Sequence, residues 1–389
     1  MRRYILIATV FAATALLIVS CDTDTKDIEK LNYATAIGID FKEGKFIGYV
    51  QFVNLPSIAK QADGKKEPAK IWIGKGTGET FEESFFDIYR TSQERIYWGH
   101  LTAIIIHESA IKQGIDSIYD SFSRYYEFRL TPWVFGTRSS IEDILNARGF
   151  YEQSPLSTVL QDPEGIYTQS SQIHSIRLHR LMSQVNEPGY TTAIPTLSIN
   201  RETWRSNGKT EPKLMIDGAI FLENERYTGY MPIKQLQGLR WIQPQTVRAA
   251  VEVPTAKKPI VAIVIDKPKA HITMRSDSEK PRFEIQLKAQ GYMTNRAKNQ
   301  MLQLHELEKA TEEAIAKQIQ ETYENARTKG IDIYNFEYFM FRHHNWLWKK
   351  IHYSDKKLIA KDTIQDISVR LKVKHTGSEK NTRVQQEER

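Results

Sequence analysis

Phe283-Glu284-Ile285-Gln286-Leu287-Lys288-Ala289-Gln290 places an apolar side chain at every second position and a polar one between. That period of two belongs to a strand with one face in a core and one in water. Thirteen residues on, the period changes. Leu304, Leu307, Ala314, Ile315, Ile319 and Tyr323 fall on one broad face of a helix expected over Met301–Thr328, which at 1.5 Å per residue extends roughly 40 Å. Glu306, Glu308, Glu312 and Glu313 crowd its first half, and Arg327 and Lys329 close it ahead of Gly330, as the helix dipole favours. Ile367, Val369, Leu371 and Val373 alternate again. A long helix set between strands is an α+β pattern, and these strands read as antiparallel.

Working back from that stretch, Ala270–Met274 and Ile260–Ile265 read as strands. Met215–Leu222 and Tyr227–Met231 read as a hairpin turning at Glu223-Asn224-Glu225-Arg226. A polar stretch at 200–213 marks a domain boundary. Before it, short strands (Ala34–Asp40, Phe46–Val53, Ile71–Ile73, Leu101–Ile106, Trp133–Gly136) alternate with helical segments, the signature of an α/β region. Leu101–Ile106 is a near-continuous apolar run and so a strand covered on both faces. Thr80 with Glu83 forms a capping box. The fold class is therefore α+β or mixed α/β: multi-domain, with mixed or antiparallel sheets packed by helices. Expected domains are 31–200, as one unit or two subdomains, and 214–374, with a flexible tail at 375–389.

The chain start reads differently. Arg2 and Arg3 precede an uncharged apolar stretch to Ser20, and Ile18-Val19-Ser20-Cys21 resembles the bacterial lipobox. Residues 1–20 are then a signal peptide cut between Ser20 and Cys21, and the Cys21 thiol accepts diacylglycerol. Two acyl chains give stable anchoring where one does not. Polar residues 21–30 form a tether. Cys21 is the only cysteine among 389 residues, which excludes an internal disulfide, a cysteine zinc cluster and a redox pair. The formal charge of +7 comes from interspersed basic and acidic residues, so nucleic acid is not an expected partner.

Motifs for catalysis fail at the residues their mechanisms need. His107-Glu108-Ser109-Ala110-Ile111 and His305-Glu306-Leu307-Glu308-Lys309 lack the second histidine of a zinc-protease helix. Gly74-Lys75-Gly76-Thr77-Gly78 runs into Glu79, without the ending of a phosphate loop. His174 and His179 do not share a helix face well, and the neighbours His343 and His344 diverge. Glu82-Glu83 and Glu312-Glu313 read as solvated faces. Aromatics over 333–348 read as core or interface packing. No catalytic residue, metal ligand or cofactor is expected.

Taken in order, these residues resemble the Ger(x)C lipoproteins, the C subunits of spore germinant receptors. The likeness begins at the lipobox and Ala36-Ile37-Gly38-Ile39-Asp40. It is strong from Gly76 to Leu145, through Trp98-Gly99-His100-Leu101, and returns at Gly218-Ala219-Ile220-Phe221, Gly229-Tyr230 and Gly238-Leu239. It closes with the long helix, Asp332 and Trp346-Trp348. Asp22 stands where the family often has tryptophan, and Asn335 and Glu337 replace a family glycine pattern after Asp332. The resemblance implies a non-enzymatic, multi-domain mixed α/β subunit required for nutrient-triggered germination. It would sit on the outer face of the spore inner membrane with two integral membrane partners, the A and B subunits. Only Cys21 carries over as a site residue; whether this subunit touches the nutrient is left open. Two other readings are a lipid-anchored solute-binding protein delivering a small nutrient to a permease, and a lipid-anchored hydrolase of wall or cortex.

Overall fold

The computed structural model describes Arg3 and residues 31–53, 70–124, 127–151, 153–253, 261–275, 280–294, 304–352 and 359–375. Ser20 and Cys21, the 21–30 tether, most of the loop expected at 54–70, and the tail beyond 375 lie outside the described residues. Among the described residues no helix is long and apolar enough to cross a membrane.

The chain opens with β1 (Leu31–Lys42), β2 (Lys45–Val53), β3 (Ile71–Gly78), α1 (Phe81–Tyr89), β4 (Arg95–Tyr97) and β5 (Ala103–His107). Next come α2 (Glu108–Ile111), α3 (Ile115–Arg124), β6 (Trp133–Thr137), α4 (Ile141–Leu145), α5 (Glu164–Gln169), β7 (Ile176–Arg177), α6 (Leu178–Val185) and β8 (Thr191–Asn200). After the small ribbon of β9 (Arg205–Ser206) and β10 (Lys209–Thr210) come β11 (Lys213–Glu223), β12 (Arg226–Pro232), α7 (Leu239–Ile242) and β13 (Arg248–Val253). The chain continues through β14 (Val261–Met274), β15 (Phe283–Met293), α8 (Leu304–Arg327), α9 (Phe336–His343), α10 (Asn345–His352) and β16 (Ile364–His375).

The large sheet has the order β12-β11-β8-β6-β5-β1-β2-β3, with β4 beside β1 and β7 beside β6. Its four central strands are parallel, and antiparallel hairpins flank them on both sides. Burial on both faces explains the apolar run of β5: Ile104 and Ile106 enter one core with α1, α3 and α6, while Ala103 and Ile105 enter another with α4. The glycine stretch 74–78 extends β3 instead of forming a loop. A methyl group at Gly76 would lie 2.2 Å from the Ser84 carbonyl oxygen, and one at Gly78 would lie 2.4 Å from Glu83 Cβ. These glycines therefore let α1 lie against the strand.

The polar stretch at 200–213 does not separate two sheets. The hairpin β11–β12, expected to open the second domain, pairs with β8 at ten positions from Lys213 to Glu223. It is apolar on both sides: Ile220 and Leu222 face the first core, while Ala219 and Phe221 face the core beneath β13–β16. One strand thus forms a wall of two cores. The smaller sheet has the order β13-β14-β15-β16. Its last pair, β15–β16, is parallel, which corrects the all-antiparallel expectation. The crossover through α8, α9 and α10 is long enough to return the chain to the end of the sheet where β15 began.

Candidate functional site

The carboxyl ends of the parallel strands β1, β5, β6 and β8 share one edge of the large sheet, the edge where open α/β sheets commonly place ligands. Asp40 near the end of β1 meets Ser109 just after β5, its Oδ1 accepting the Ser109 hydroxyl at 2.7 Å. His107 Nδ1 lies 2.8 Å from Ser109 Oγ and 3.2 Å from Asp40 Oδ1. Lys42 Nζ is 2.7 Å from Asp40 Oδ2. Burial pushes the Asp40 carboxyl up, but hydrogen bonds from Lys42 and Ser109 and the charge of His107 outweigh it and hold the group below its usual range. These are the residue types of a serine-hydrolase triad without its relay. Such a triad uses opposite ring nitrogens for serine and aspartate, whereas here both contacts fall on Nδ1. The Ser109 amide also donates to Nδ1, at 3.2 Å, so His107 caps α2.

A second constellation ties this edge to the shared hairpin. Glu108 accepts from the Tyr227 hydroxyl and lies 3.2 Å from Arg138 Nε and 3.3 Å from Lys112 Nζ. Arg138 covers the Tyr230 ring at 4.5 Å, and Lys112 covers Tyr227 at 4.8 Å. Burial acts upward on Glu108, but the Tyr227 hydroxyl and Lys112 overcome it and hold the acid low; burial and Glu108 together push the Tyr227 phenol up.

A third lies where the two sheets meet. Burial, followed by the charges of Glu337 and Asp332, pushes Glu223 up to about 7. Asp332 is fully buried, and burial pushes it up to about 6 against hydrogen bonds from backbone amides. Its Oδ2 accepts from the Glu337 amide at 2.7 Å and so holds the first turn of α9. Glu337 Oε1 accepts from Trp348 Nε1 at 3.0 Å and lies 3.2 Å from His352 Nδ1. Asn335 has φ 57°, in the left-handed region that asparagine and glycine tolerate best, and its Oδ1 accepts from the Thr191 amide at 2.7 Å. That backbone conformation suits asparagine at this position.

The other residues singled out in the sequence serve packing and capping. His174 is pushed down by burial and packs edge-on against Tyr167 at 5.0 Å, while His179 Nδ1 meets the Leu130 carbonyl at 3.0 Å. Ile111 is core, and Lys309 is exposed. His343 and His344 each lie beside Phe339. Glu83 completes the cap of α1: its amide donates to Thr80 Oγ1 at 3.3 Å and its carboxylate accepts from the Glu79 amide at 2.8 Å. Glu82 is not merely solvated but accepts from the Ser121 hydroxyl. Trp98 is buried and donates from Nε1 to the Tyr89 hydroxyl at 3.0 Å. Phe336 stacks on Phe283 at 4.3 Å. The described residues include no cluster of three His, Asp or Glu side chains able to hold a metal ion.

Sequence spacing could not reveal these three constellations, because each joins groups brought together by strand order. A polar residue closing an apolar strand, as Asp40, His107 and Glu223 do, was the available signal.

Two family models match in tandem: the spore germination protein N-terminal domain over residues 24–199, and the spore germination B3/GerAC-like C-terminal domain over 216–377. Spore germination protein KC of Bacillus subtilis (strain 168) is 19% identical over 401 aligned residues, covering 98% of each chain. Spore germination protein B3 of the same organism is 24% identical, covering 84% of this chain and 87% of its own. The crystal structure of the GerBC protein superposes with a TM-score of 0.54 at 18% identity, over 89% of this chain and 99% of that one, which is a likeness of fold. With both domain models matched in order and a shared fold, the chain belongs to the Ger(x)C family of spore germination proteins.

Proposed function

We propose that this protein is the membrane-tethered C subunit of a spore germinant receptor. In this reading it is cut between Ser20 and Cys21, carries diacylglycerol on Cys21, and is held on the outer face of the spore inner membrane. There it works with the integral membrane A and B subunits in nutrient-triggered germination. The observation that carries the reading is the tandem match of two spore germination domains behind a lone cysteine ten residues ahead of β1. A lipid tether raises the effective concentration of the folded body near its partners without a strong interface. A non-catalytic role is supported by the Asp40–His107–Ser109 geometry, where both contacts crowd one ring nitrogen.

The test is detergent extraction of spore membranes. The native chain should bring down two integral partners, and mass spectrometry should find it starting at an acylated Cys21. Cys21→Ala should keep the fold, shed the protein from the membrane and slow germination. Normal germination with the protein shed, or a native chain whose leader is intact, would overturn the reading.

A further inference from the structure

The solvent face of the smaller sheet carries an arrangement that folding alone disfavours. Lys269 of β14 is paired with Lys288 of β15, and Lys288 with Arg370 of β16, so three cations lie side by side across three strands. Like charges placed directly opposite weaken a sheet. Lys372 and Lys374 extend the basic strip along β16, and the strip lines a groove of about 600 Å³ in which Asp266 is the one carboxylate among the described residues. Two acids near the strip are engaged with arginines, Glu284 with Arg275 at 2.7 Å and Asp362 with Arg282 at 3.3 Å; exposed Asp366 lies on the same face of β16, four residues before Arg370.

The backbone adds a second, independent sign. A bulge interrupts β14 between Asp266 and Lys269, and Lys267 within it has φ 44°, a conformation that costs a residue with a side chain. The bulge breaks the alternation at Asp266 and Lys267, which are neighbours and both exposed, so Lys267 and Lys269 fall on the solvent face instead of following the buried Ile263 and Ile265. Strain of this kind persists where its consequence is useful, and the consequence here is one more cation on the strip.

We infer that this face docks on a membrane leaflet rich in anionic phospholipid, its cations lying against the headgroup phosphates. A planar field of anions matches cations spread over a rigid sheet. An acidic peptide adding as a further strand at β16 finds the amides of Leu371 and Val373 already donated to Glu312 and Glu308. The choice of a leaflet over other polyanions rests on the lipid-tethered reading of the chain.

The test uses the mature chain, residues 21–389, carrying Cys21→Ala, so that neither the apolar leader nor an acyl chain contributes. It is mixed with vesicles of phosphatidylcholine alone and of phosphatidylcholine with phosphatidylglycerol. Partitioning into the anionic vesicles should exceed that into the neutral ones by about tenfold or more, given several cations near the surface, and the excess should vanish at high salt. Lys269→Gln/Lys288→Gln/Arg370→Gln should bring the ratio close to parity while the unfolding midpoint holds or rises. Equal partitioning of the Cys21→Ala protein, which would point instead to an acidic protein surface, or a preference untouched by the triple substitution, overturns the inference. With Cys21 removed, failure here leaves the tether standing; a bare Cys21 in the native protein would leave the vesicle result standing.

Discussion

Glu312 Oε1 accepts a hydrogen bond from the Leu371 backbone amide at 2.7 Å, so the long helix α8 caps the open edge of β16. One turn earlier, Glu308 Oε1 takes the Val373 amide at 2.9 Å. Four helical residues rise about 6 Å and two strand residues about 6.6 Å, so carboxylates four apart match amides two apart along antiparallel paths. An uncovered edge strand invites pairing with other chains, and here two acids occupy its donors.

Glu308→Ala/Glu312→Ala should destabilise the protein by about 2–4 kcal/mol, since two amides lose charged acceptors, and should increase self-association. Glu308→Gln/Glu312→Gln keeps acceptors and should cost less. Urea unfolding and analytical ultracentrifugation read both effects.

Gly238 sits against the α8 backbone. An added Cβ would lie 2.4 Å from the Gln318 carbonyl oxygen and 2.6 Å from Ile319 Cα, and the Gly238 amide donates to Thr322 Oγ1 at 2.8 Å. Gly238→Ala should cost about 1–3 kcal/mol through overpacking. Gly165→Ala, inside α5 with nothing within 4 Å of the new methyl, should stabilise by about 0.5–1 kcal/mol. Thermal unfolding of the two variants separates crowding from backbone entropy.

Three acids give two opposite pH signatures. Asp40 is held below its usual range, so its contribution is present above its unfolded pKa and is lost as pH falls through the folded value. Glu223 and Asp332 are raised, to about 7 and about 6. Between their ordinary values of 4.5 and 3.8 and these raised ones, the folded state binds more protons than the unfolded state. Stability therefore falls as pH rises through that window. Glu223→Gln should flatten the decline between about pH 5 and pH 7 and should raise stability at pH 8 relative to the native chain. A steeper decline in that variant would contradict the assignment.

Arg240 is buried, and burial pushes its guanidinium down to about 10. Its guanidinium lies 3.4 Å from Gln318 Oε1 and 4.8 Å from the Trp241 ring centre, and among the described residues no carboxylate forms an ion pair with it. Arg240→Met should be neutral or stabilising by about 1–2 kcal/mol, because a desolvated cation is replaced by an apolar side chain of similar length. Chemical denaturation measures the sign directly.

Periodicity determined the elements. The alternation from Phe283 and the helical face from Leu304 belong to the chain locally, and the observed β15 (Phe283–Met293) and α8 (Leu304–Arg327) follow them closely. The apolar run at β5 and the capping box at Thr80 were legible for the same reason: each is a pattern among near neighbours. Strand order was not. That β11 pairs with β8 and walls two cores, that β16 lies parallel to β15, and that Asp40 meets Ser109 across 69 positions were settled only by the folded chain. Closing a longer loop costs little more than closing a shorter one, so spacing along the chain barely discriminates among such pairings. Burial of both faces of a strand and complementary spacing of donors and acceptors do discriminate, and these exist only once the layers have packed.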